Sequence, residues 1–502
     1  MNEENFIDVL IIGAGPAGLT AGYLLSKEKI GVKILESNPE LVGGISRTEK
    51  YKDFLFDIGG HRFFSKSQAI VDLWNEILPD DFIERPRLSR IFYGNKYYSY
   101  PLKPLEALTN LGIYTSFLCV LSYLWAKIHP IKDPQSFHDW VRNQFGERLF
   151  SIFFKTYTEK VWGMSCDEIS ADWAAQRIKG LSLGSAIWNS ITTGLRGNAR
   201  PENKPIIKTL IDTFRYPRLG PGMLWDAAAT KITNMGGQIS MGSYATSCEW
   251  ISEIQLWAVT SHNQDGSQTQ TKAKHLISSA PMRDFIQQIK PKISKSENAS
   301  LLRYRDFITV ALIAKNSNDF PDNWIYIHDP SVKVGRIQNF RSWSPQMVPD
   351  KDLTCLGLEY FCFEGDGLWE MEDADLIMLA KKELGQIGII DPNSVIDGVV
   401  VREPKAYPVY DESYKKNVDA IRNDVEACFP TLHLVGRNGM HKYNNQDHAM
   451  MTAMLTSQNI LLGYKKYDVW NVNEDAEYHE SGFEGAQDAI NSQRLVPSVK
   501  DK

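Results

Sequence analysis

The apolar run Asp8-Val9-Leu10-Ile11-Ile12 passes directly into Gly13-Ala14-Gly15-Pro16-Ala17-Gly18, and that turn passes directly into the helix-like stretch Leu19-Thr20-Ala21-Gly22-Tyr23-Leu24-Leu25. Three glycines at this spacing between a strand and a helix leave few options for the fold. The first permits a tight turn, the second lets backbone lie against a pyrophosphate, and the third lets the helix pack close on the strand. The helix N-terminus, with its unpaired N–H groups, then faces the anion. Val32-Lys33-Ile34-Leu35 reads as a second strand closed by Glu36, a carboxylate roughly twenty residues past the glycines, where a ribose hydroxyl needs an acceptor. The spacing predicts a Rossmann-type unit that holds a dinucleotide through Gly13, Gly15, Pro16, Ala17, Gly18, Glu36 and Ser37.

A chain of 502 residues with 43% hydrophobic and 23% charged side chains buries a large core and divides into two or three domains. Its net charge of −6 argues against a general nucleic-acid binder. An anionic ligand must therefore be held by a local arginine cluster and not by a global field. Cys119, Cys166, Cys248, Cys355, Cys362 and Cys428 form no Cys-x-x-Cys pair and no metal-like spacing with histidine, so they read as buried thiols in a reducing compartment, and no metal is expected. The acidic start Met1-Asn2-Glu3-Glu4-Asn5 runs straight into the first strand, leaving no signal peptide and a cytoplasmic expectation. The apolar stretch 113–126 is shorter than the roughly 20 residues of a membrane span. It reads by default as a buried helix, with a peripheral contact to membrane lipid as the alternative.

The organisation reads as a discontinuous cofactor domain in three pieces (1–65, 220–300 and 430–470), a mainly helical insertion over 66–219, an antiparallel-sheet substrate domain over 301–429, and a polar tail over 474–502. Asp265-Gly266 marks a hairpin between two later strands of the cofactor domain. Asn198 to Pro205 reads as a loop.

Further motifs carry a resemblance. Gly43-Gly44-Ile45-Ser46-Arg47 adds a second glycine pair, and Gly59-Gly60-His61 ends another strand. Together with the first turn they resemble the FAD enzymes that include flavin amine oxidases, protoporphyrinogen oxidase, phytoene desaturases and UDP-galactopyranose mutase. FAD is longer than one Rossmann unit holds, so later segments return to its ring and bring glycines where backbone lies against it. The fold expected is α/β: a Rossmann-type FAD-binding domain (GR2-like) with an inserted helical region and an antiparallel-sheet substrate domain.

Within that group four segments are similar to the UDP-galactopyranose mutases. Phe153-Phe154-Lys155-Thr156-Tyr157-Thr158-Glu159-Lys160-Val161-Trp162-Gly163 resembles Phe-Phe-x-x-Tyr-Thr-x-Lys-x-Trp-Gly, and Gly59-Gly60-His61-Arg62-Phe63 resembles Gly-Pro-His-x-Phe. Ala406-Tyr407-Pro408-Val409 resembles Tyr-Pro-Ile/Val, and Gly436 to Asp447 resembles Gly-Arg-x-Gly-x-Tyr-x-Tyr-x-Asp-Met-Asp. The resemblance implies that reduced FAD attacks the anomeric carbon of a nucleotide-linked sugar through N5, with no net redox change. It assigns Arg305, Arg336 and Arg437 to the diphosphate, Tyr407 and Tyr443 to hydrogen bonds on it, and Trp162 to the substrate pocket. His61, Arg305, Tyr407 and Tyr443 form the catalytic set, with His61 nearest the flavin. Gly43, Gly44, Ile45, Ser46, Arg47, Gly59, Gly60, His61, Gly436, Arg437 and Asp447 join the cofactor contacts. A leaving diphosphate requires fixed positive charge, best supplied by planar bidentate arginine.

The chain also departs from that pattern. The family's Leu-Pro-Val-Arg segment aligns with Ile206-Ile207-Lys208-Thr209-Leu210, leaving Lys208, Arg215 or Arg218 as substitutes for its arginine. His441 and Asn445 replace a tyrosine and an aspartate, and Arg215 to Met223 is similar to the oxidase and desaturase branch. Three readings stay open: a mutase-like enzyme for surface polysaccharide, a FAD-dependent oxidoreductase of the amine oxidase/desaturase type, and a flavin-holding partner protein. No NAD(P)H motif separate from the first turn is apparent, so reduction is expected from NAD(P)H bound transiently at the same site or from another protein. Oligomeric state stays open.

Overall fold

Every residue from Val9 to Ile12 is buried, alternate side chains going to opposite faces of one sheet. Burial on both faces explains why this segment reads as an unbroken apolar run. The computed structural model describes residues 6–100, 102–171, 213–315 and 320–473. The loop expected at 198–205, the tail at 474–502 and the Ile206–Leu210 segment lie outside the described residues.

The strands are β1 (Phe6–Ile12), β2 (Val32–Leu35), β3 (Thr48–Tyr51), β4 (Phe54–Asp57), β5 (Phe82–Pro86), β6 (Ser89–Tyr93), β7 (Lys96–Ser99), β8 (Thr213–Pro217), β9 (Gln238–Ser240), β10 (Ser243–Ile251), β11 (Leu256–Asn263), β12 (Gln268–Ser278), β13 (Ile289–Lys290), β14 (Tyr304–Lys315), β15 (Trp324–Ile327), β16 (Arg336–Asn339), β17 (Leu353–Cys362), β18 (Val395–Pro408) and β19 (Leu432–Leu434). The first seven helices are α1 (Pro16–Lys27), α2 (Gln68–Ile77), α3 (Pro104–Leu111), α4 (Ile113–Ile128), α5 (Phe137–Phe145), α6 (Glu147–Phe150) and α7 (Thr156–Trp162). A π turn, Ser151–Lys155, joins α6 to α7.

The cofactor sheet runs β13-β10-β11-β12-β1-β2-β9, with β19 also paired to β12. Its centre is parallel: β1 pairs β2 and β12, and β12 pairs β19. One face packs under α1, the helix Gly222–Asn234 and the helix Gln446–Leu462. The other face packs under the helices Met282–Gln288 and Tyr414–Cys428. At Gly22 a Cβ would come within 2.7 Å of Ile34 Cδ1, which shows how closely α1 lies on β2. The turn at Asp265-Gly266 closes the β11–β12 hairpin. The α/β class with a Rossmann-type cofactor unit is therefore present.

The second sheet runs β18-β14-β17-β16-β15-β6-β7 and is antiparallel apart from the β15–β6 pair. Strict alternation sorts its side chains. Ile308, Val310, Leu312, Ile337, Leu356 and Leu358 bury one face under the helix Asp373–Gln386. Arg336, Gln338, Glu359, Phe307, Tyr326 and Tyr407 belong to the other face, against the Gly59–Gly60 loop and α7. The segment 66–219, read from sequence as mainly helical, holds β5, β6, β7 and β8 among its described residues, and the β6–β7 hairpin extends this second sheet.

The default of a buried helix at 113–126 does not hold. Of α4 only Cys119 and Ala126 are buried, while Ile113, Tyr114, Phe117 and Trp125 are more than half exposed. Apolar content alone does not distinguish the two cases, because the fully buried residues are the small ones, with Leu118 and Tyr123 half-buried beside them, and most of the large ones face outward.

Candidate active site

The glycine turn forms a bare backbone crevice. A Cβ at Gly18 would sit 1.8 Å from Gly13 O, and one at Gly13 2.4 Å from Ser279 Oγ, so both positions are closed to any side chain. Gly15 and Gly44 instead face each other: a Cβ at Gly15 would meet only Gly44 backbone, at 3.8 Å, and one at Gly44 would meet Gly15 Cα at 3.3 Å. Gly15 caps α1 with no side-chain hydrogen bond, and Pro16 occupies its first turn, leaving helix N–H groups exposed to an anion. Glu36 closes β2 with Oε2 accepting from Ala14 N–H at 2.7 Å and Oε1 from Asn38 N–H at 2.8 Å, while the Ser37 hydroxyl lies 3.3 Å from Oε1. A carboxylate has about four lone-pair sites, so acceptor capacity for a ribose hydroxyl remains.

Arg47 knits the second glycine pair to the second sheet through Glu403 of β18. It donates to Gly44 O at 3.1 Å and pairs with Glu49 at 2.7 Å and Glu403 at 2.8 Å. Burial works against its charge, but Glu403 and Glu49 outweigh that and hold the guanidinium above its ordinary range.

Beyond β4 the Gly59–Gly60–His61 loop lies on the polar face of the second sheet. A Cβ on Gly59 would stand 3.6 Å from Arg336 Nη2, and one on Gly60 2.9 Å from Gln338 Nε2. Arg336 Nε donates to Glu359 Oε2 at 2.5 Å, Gln338 Nε2 donates to Glu359 Oε1 at 2.8 Å, and Trp343 Nε1 donates to Gln338 Oε1 at 2.9 Å. Burial and then the fields of Arg437 and Arg336 push the His61 imidazole down to about 3, so it is neutral near pH 7. His61 Nδ1, Asn438 Oδ1 and Gln446 Oε1 are buried with no hydrogen-bond partner among the described residues. Buried polar atoms are ordinarily satisfied, so the two orphans at this loop, His61 Nδ1 and Gln446 Oε1, mark a place where a polar ligand belongs, while the Asn438 side chain reaches Lys405 O.

Arg437 enters from the loop after β19. Its Nε donates to Asn444 O at 2.9 Å and its Nη1 to Ala406 O at 3.1 Å, and the guanidinium lies 5.3 Å from the Tyr407 ring centre and 5.0 Å from that of Tyr443. The two tyrosines stack at 5.4 Å, and Trp162 lies 6.3 Å from Tyr443 and 6.4 Å from Tyr410. Burial and then Tyr443 hold the Tyr407 phenol well above its usual range, so it remains a hydrogen-bond donor. Tyr157, on the α7 side, is raised likewise by burial and stacks on His328 at 5.0 Å.

Gly436 packs against the α1 turn: a Cβ there would meet Ala17 Cβ at 3.0 Å. The loop then reaches the helix Gln446–Leu462, where Gln446 Nε2 donates to Arg62 O at 3.2 Å. Asp447, in the first turn of that helix, is buried, and desolvation raises its carboxyl to about 7 against hydrogen bonds from His448 N–H and Ser65. His61, Arg336, Tyr407, Arg437, Tyr443 and Trp162 thus converge. Ile45 and Ser46 form a short turn beside Gly44, with Ser46 buried.

Arg305 differs. Its Nε donates to Val161 O at 3.0 Å, its Nη2 to Phe361 O at 2.7 Å and Lys160 O at 3.3 Å, and it lies 4.2 Å from the Phe363 ring centre. These bonds close the C-terminus of α7, and a Cβ on Gly163 would strike the guanidinium at 2.5 Å. Arg215 lies over the Phe82 ring at 4.3 Å and Arg218 pairs with Asp81, so neither is committed to the Arg336–Arg437 region; Lys208 lies outside the described residues.

Sequence reading missed Gln338 and Glu359, which fix Arg336, and also Tyr157 and Gln446. The Arg336/Gln338 spacing of two on a strand was an available signal, but Glu359 becomes its partner only through the β16–β17 register. Lys160, given no role from sequence, donates to the carbonyls of Ile327, Asp329 and Val334 at 3.2, 2.6 and 3.2 Å, and burial lowers its ammonium to about 8.

Residues 11–77 match the model of the NAD(P)-binding Rossmann-like domain family. The chain is 31% identical over 183 residues to the dTDP-fucopyranose mutase of Escherichia coli, covering 32% of this chain and 44% of that protein. It is 25% identical over 181 residues to a probable UDP-galactopyranose mutase of Klebsiella pneumoniae, covering 34% and 44%. The matches therefore span less than half the length of these relatives. In three dimensions the chain superposes on reduced UDP-galactopyranose mutase with a TM-score of 0.77 at 20% identity, covering 93% of this chain and 99% of that one. A putrescine oxidase bound to putrescine superposes at 0.60 with 16% identity, covering 91% and 99%. The fold is thus shared with UDP-galactopyranose mutase and putrescine oxidase; sequence similarity over about 180 residues is to the sugar-nucleotide mutases, and over 77 residues, at 30% identity, to a ferredoxin–NADP reductase of Latilactobacillus sakei.

Proposed function

We propose that this chain is a FAD-dependent, mutase-like enzyme that interconverts ring forms of a nucleotide-diphosphate sugar destined for surface polysaccharide. The observation that carries the reading is the pair of guanidinia, Arg336 and Arg437, that both act on His61 and share Tyr407. A nucleotide diphosphate needs fixed, planar positive charge, and these arginines are held in place beforehand, one by Glu359 and the other by two backbone carbonyls.

The Gly13–Gly18 turn, Glu36 and the facing Gly15/Gly44 backbones would hold the dinucleotide part of FAD. His61 and Gln446 offer unsatisfied polar atoms for the flavin end. When bound, a reduced flavin supplies an electron-rich ring nitrogen as nucleophile. The residues then divide the remaining work. Arg336 and Arg437 stabilise the negative charge that develops on the departing diphosphate. Tyr407 and Tyr443 donate to its oxygens, and Trp162 and Tyr157 form aromatic walls that limit water. His61 stays neutral, so it adds no charge that would compete with the arginines for the phosphate. Six free cysteines, five of them buried, suit the reducing interior where nucleotide sugars are made.

The test is to incubate the purified holoprotein, reduced with dithionite under argon, with a panel of UDP- and dTDP-hexoses and to resolve the products by anion-exchange chromatography and NMR. A ring isomer of unchanged mass, formed only by reduced protein and lost in Arg336→Ala and Arg437→Ala, supports the proposal. Oxygen uptake with hydrogen peroxide release on an amine or isoprenoid substrate, and no isomer from any sugar, would replace it with the oxidase reading.

A further inference from the structure

The helix α4 is built inside out. Its small and hydroxyl-bearing residues face the protein: Cys119 and Ala126 are buried, Ser116 Oγ donates to Leu108 O at 2.6 Å, and Ser122 Oγ accepts from Arg148 N–H at 3.1 Å. Gly146 makes the close approach possible, since a Cβ there would lie 2.7 Å from Tyr123 N. The large apolar residues face outward: Ile113 is 92% exposed, Phe117 60%, Trp125 61% and Ile128 71%, with Leu121 and Leu124 between them. At 100° per residue the outward set sweeps an arc of about 120°, opposite Cys119 and Ala126. A helix bordering water shows the reverse pattern, and contiguous apolar surface of this kind marks a protein or membrane contact.

We propose that α4 lies in the surface of an anionic lipid bilayer and seats the protein there. Three observations favour lipid over a protein partner. The outward arc carries almost no hydrogen-bonding group apart from the Tyr114 hydroxyl near one end and the Trp125 N–H near the other, whereas protein interfaces carry about one hydrogen bond per 100–200 Å². Tyrosine and tryptophan are the side chains that settle at the headgroup level. From Ala107 to Ala126 the chain has no charge, and the run is flanked by exposed Lys103, Lys127 and Lys132, none of which meets a carboxylate among the described residues. Such lysines complement anionic headgroups. The helix is 16 residues, or about 24 Å, long, less than the roughly 30 Å hydrocarbon core, so it lies in the interface and does not cross it. No described helix is long and apolar enough to span a membrane.

The experiment is flotation of the full-length protein with phosphatidylcholine vesicles made with and without phosphatidylglycerol. Wild type is expected to float with the phosphatidylglycerol vesicles. The double variant Phe117→Glu/Leu124→Glu should lose about a hundredfold in partition, roughly tenfold for each side chain. Lys127→Glu/Lys132→Glu should lose about tenfold or more, and only on anionic vesicles. Because these side chains point away from the core, flavin absorbance and melting temperature should match wild type in both variants. Wild-type protein that stays out of both vesicle fractions overturns the proposal. So does a dimer in light scattering that Phe117→Glu/Leu124→Glu converts to monomer without any vesicle binding, since that assigns the face to a second copy of the chain.

Discussion

Substituting Glu359 by Gln changes no volume and isolates one charge. Glu359 is fully buried, and both of its oxygens are used, one by Arg336 Nε at 2.5 Å and the other by Gln338 Nε2 at 2.8 Å. Desolvation disfavours its ionised form, and the Arg336 guanidinium opposes that; among the described residues Glu359 is the carboxylate that holds Arg336 charged. Two unit charges about 4 Å apart at an effective dielectric near 20 attract by about 4 kcal/mol. An amide in that place keeps one acceptor but turns an N–H toward the other donor. Breaking a buried pair from one side costs about 3–5 kcal/mol by direct experience with such pairs. Both routes give about 4 kcal/mol, or roughly a thousandfold in the folding equilibrium. In urea at pH 7.5 the unfolding midpoint should fall by on the order of 1–2 M for an m-value near 3 kcal/mol/M. The double variant Glu359→Gln/Arg336→Met removes the stranded charge and should recover most of that loss. A single variant as stable as wild type, or a double variant less stable than the single, would refute the view that Glu359 serves to hold a buried Arg336.

Three further outcomes follow from other sites. Gly15→Ala should fold to within about 1 kcal/mol of wild type, because its Cβ meets only Gly44 backbone, yet lose flavin affinity by about a hundredfold; Gly18→Ala, whose Cβ would overlap Gly13 O, should cost more than about 3 kcal/mol. Absorbance of the purified variants and thermal melts separate the two effects, and equal flavin loading of Gly15→Ala would count against the crevice. Arg305→Ala should destabilise by about 3 kcal/mol by leaving the carbonyls of Val161, Lys160 and Phe361 without their donor; an unchanged melting curve with lost turnover would return Arg305 to the substrate. Asp57 is fully buried, accepts from Thr48 and Tyr216, and is raised to about 8 by desolvation. The folded state therefore holds a proton that the unfolded chain releases, and stability falls as pH rises from about 4 to about 8. Asp57→Asn should flatten that decline by several kcal/mol in urea titrations across this range, and a slope unchanged by the substitution would exclude Asp57 as its source.

The cofactor crevice was legible because its parts are close in sequence. β1, the glycine turn, α1, β2 and Glu36 fall within 31 residues, from Phe6 to Glu36, and each obeys a local steric rule. The polar floor was not legible, since Arg336 meets Glu359 only through a strand register, and β6 reaches the same sheet by pairing with β15 from far along the chain. Arg305 shows the limit of motif matching. Its sequence neighbourhood suggests a ligand, but its donors go to the carbonyls of Phe361 on β17 and of Val161 and Lys160 at the end of α7, where Gly163 leaves room for the guanidinium. For α4 the decisive residues were its own Cys119 and Ala126 and the facing Gly146 between α5 and α6. Small side chains let two segments meet, and their spacing says more about which face is inward than the large side chains do.

The cofactor sheet sets an order on biosynthesis. β1 pairs with β12, whose first partner residue is Lys272, and β12 must then wait for β19, which begins at Leu432. At roughly 5–20 residues per second, a ribosome needs about 20–80 s after releasing β2 to deliver β19. Until the helix Gly222–Asn234 emerges, the apolar strands β1 and β2 have α1 against one face only, and β1 lacks its neighbour β12 until residue 278 has been made. The nascent chain is thus a client for chaperones that shield strand edges, and a message truncated before residue 432 yields a protein whose nucleotide crevice lacks one wall.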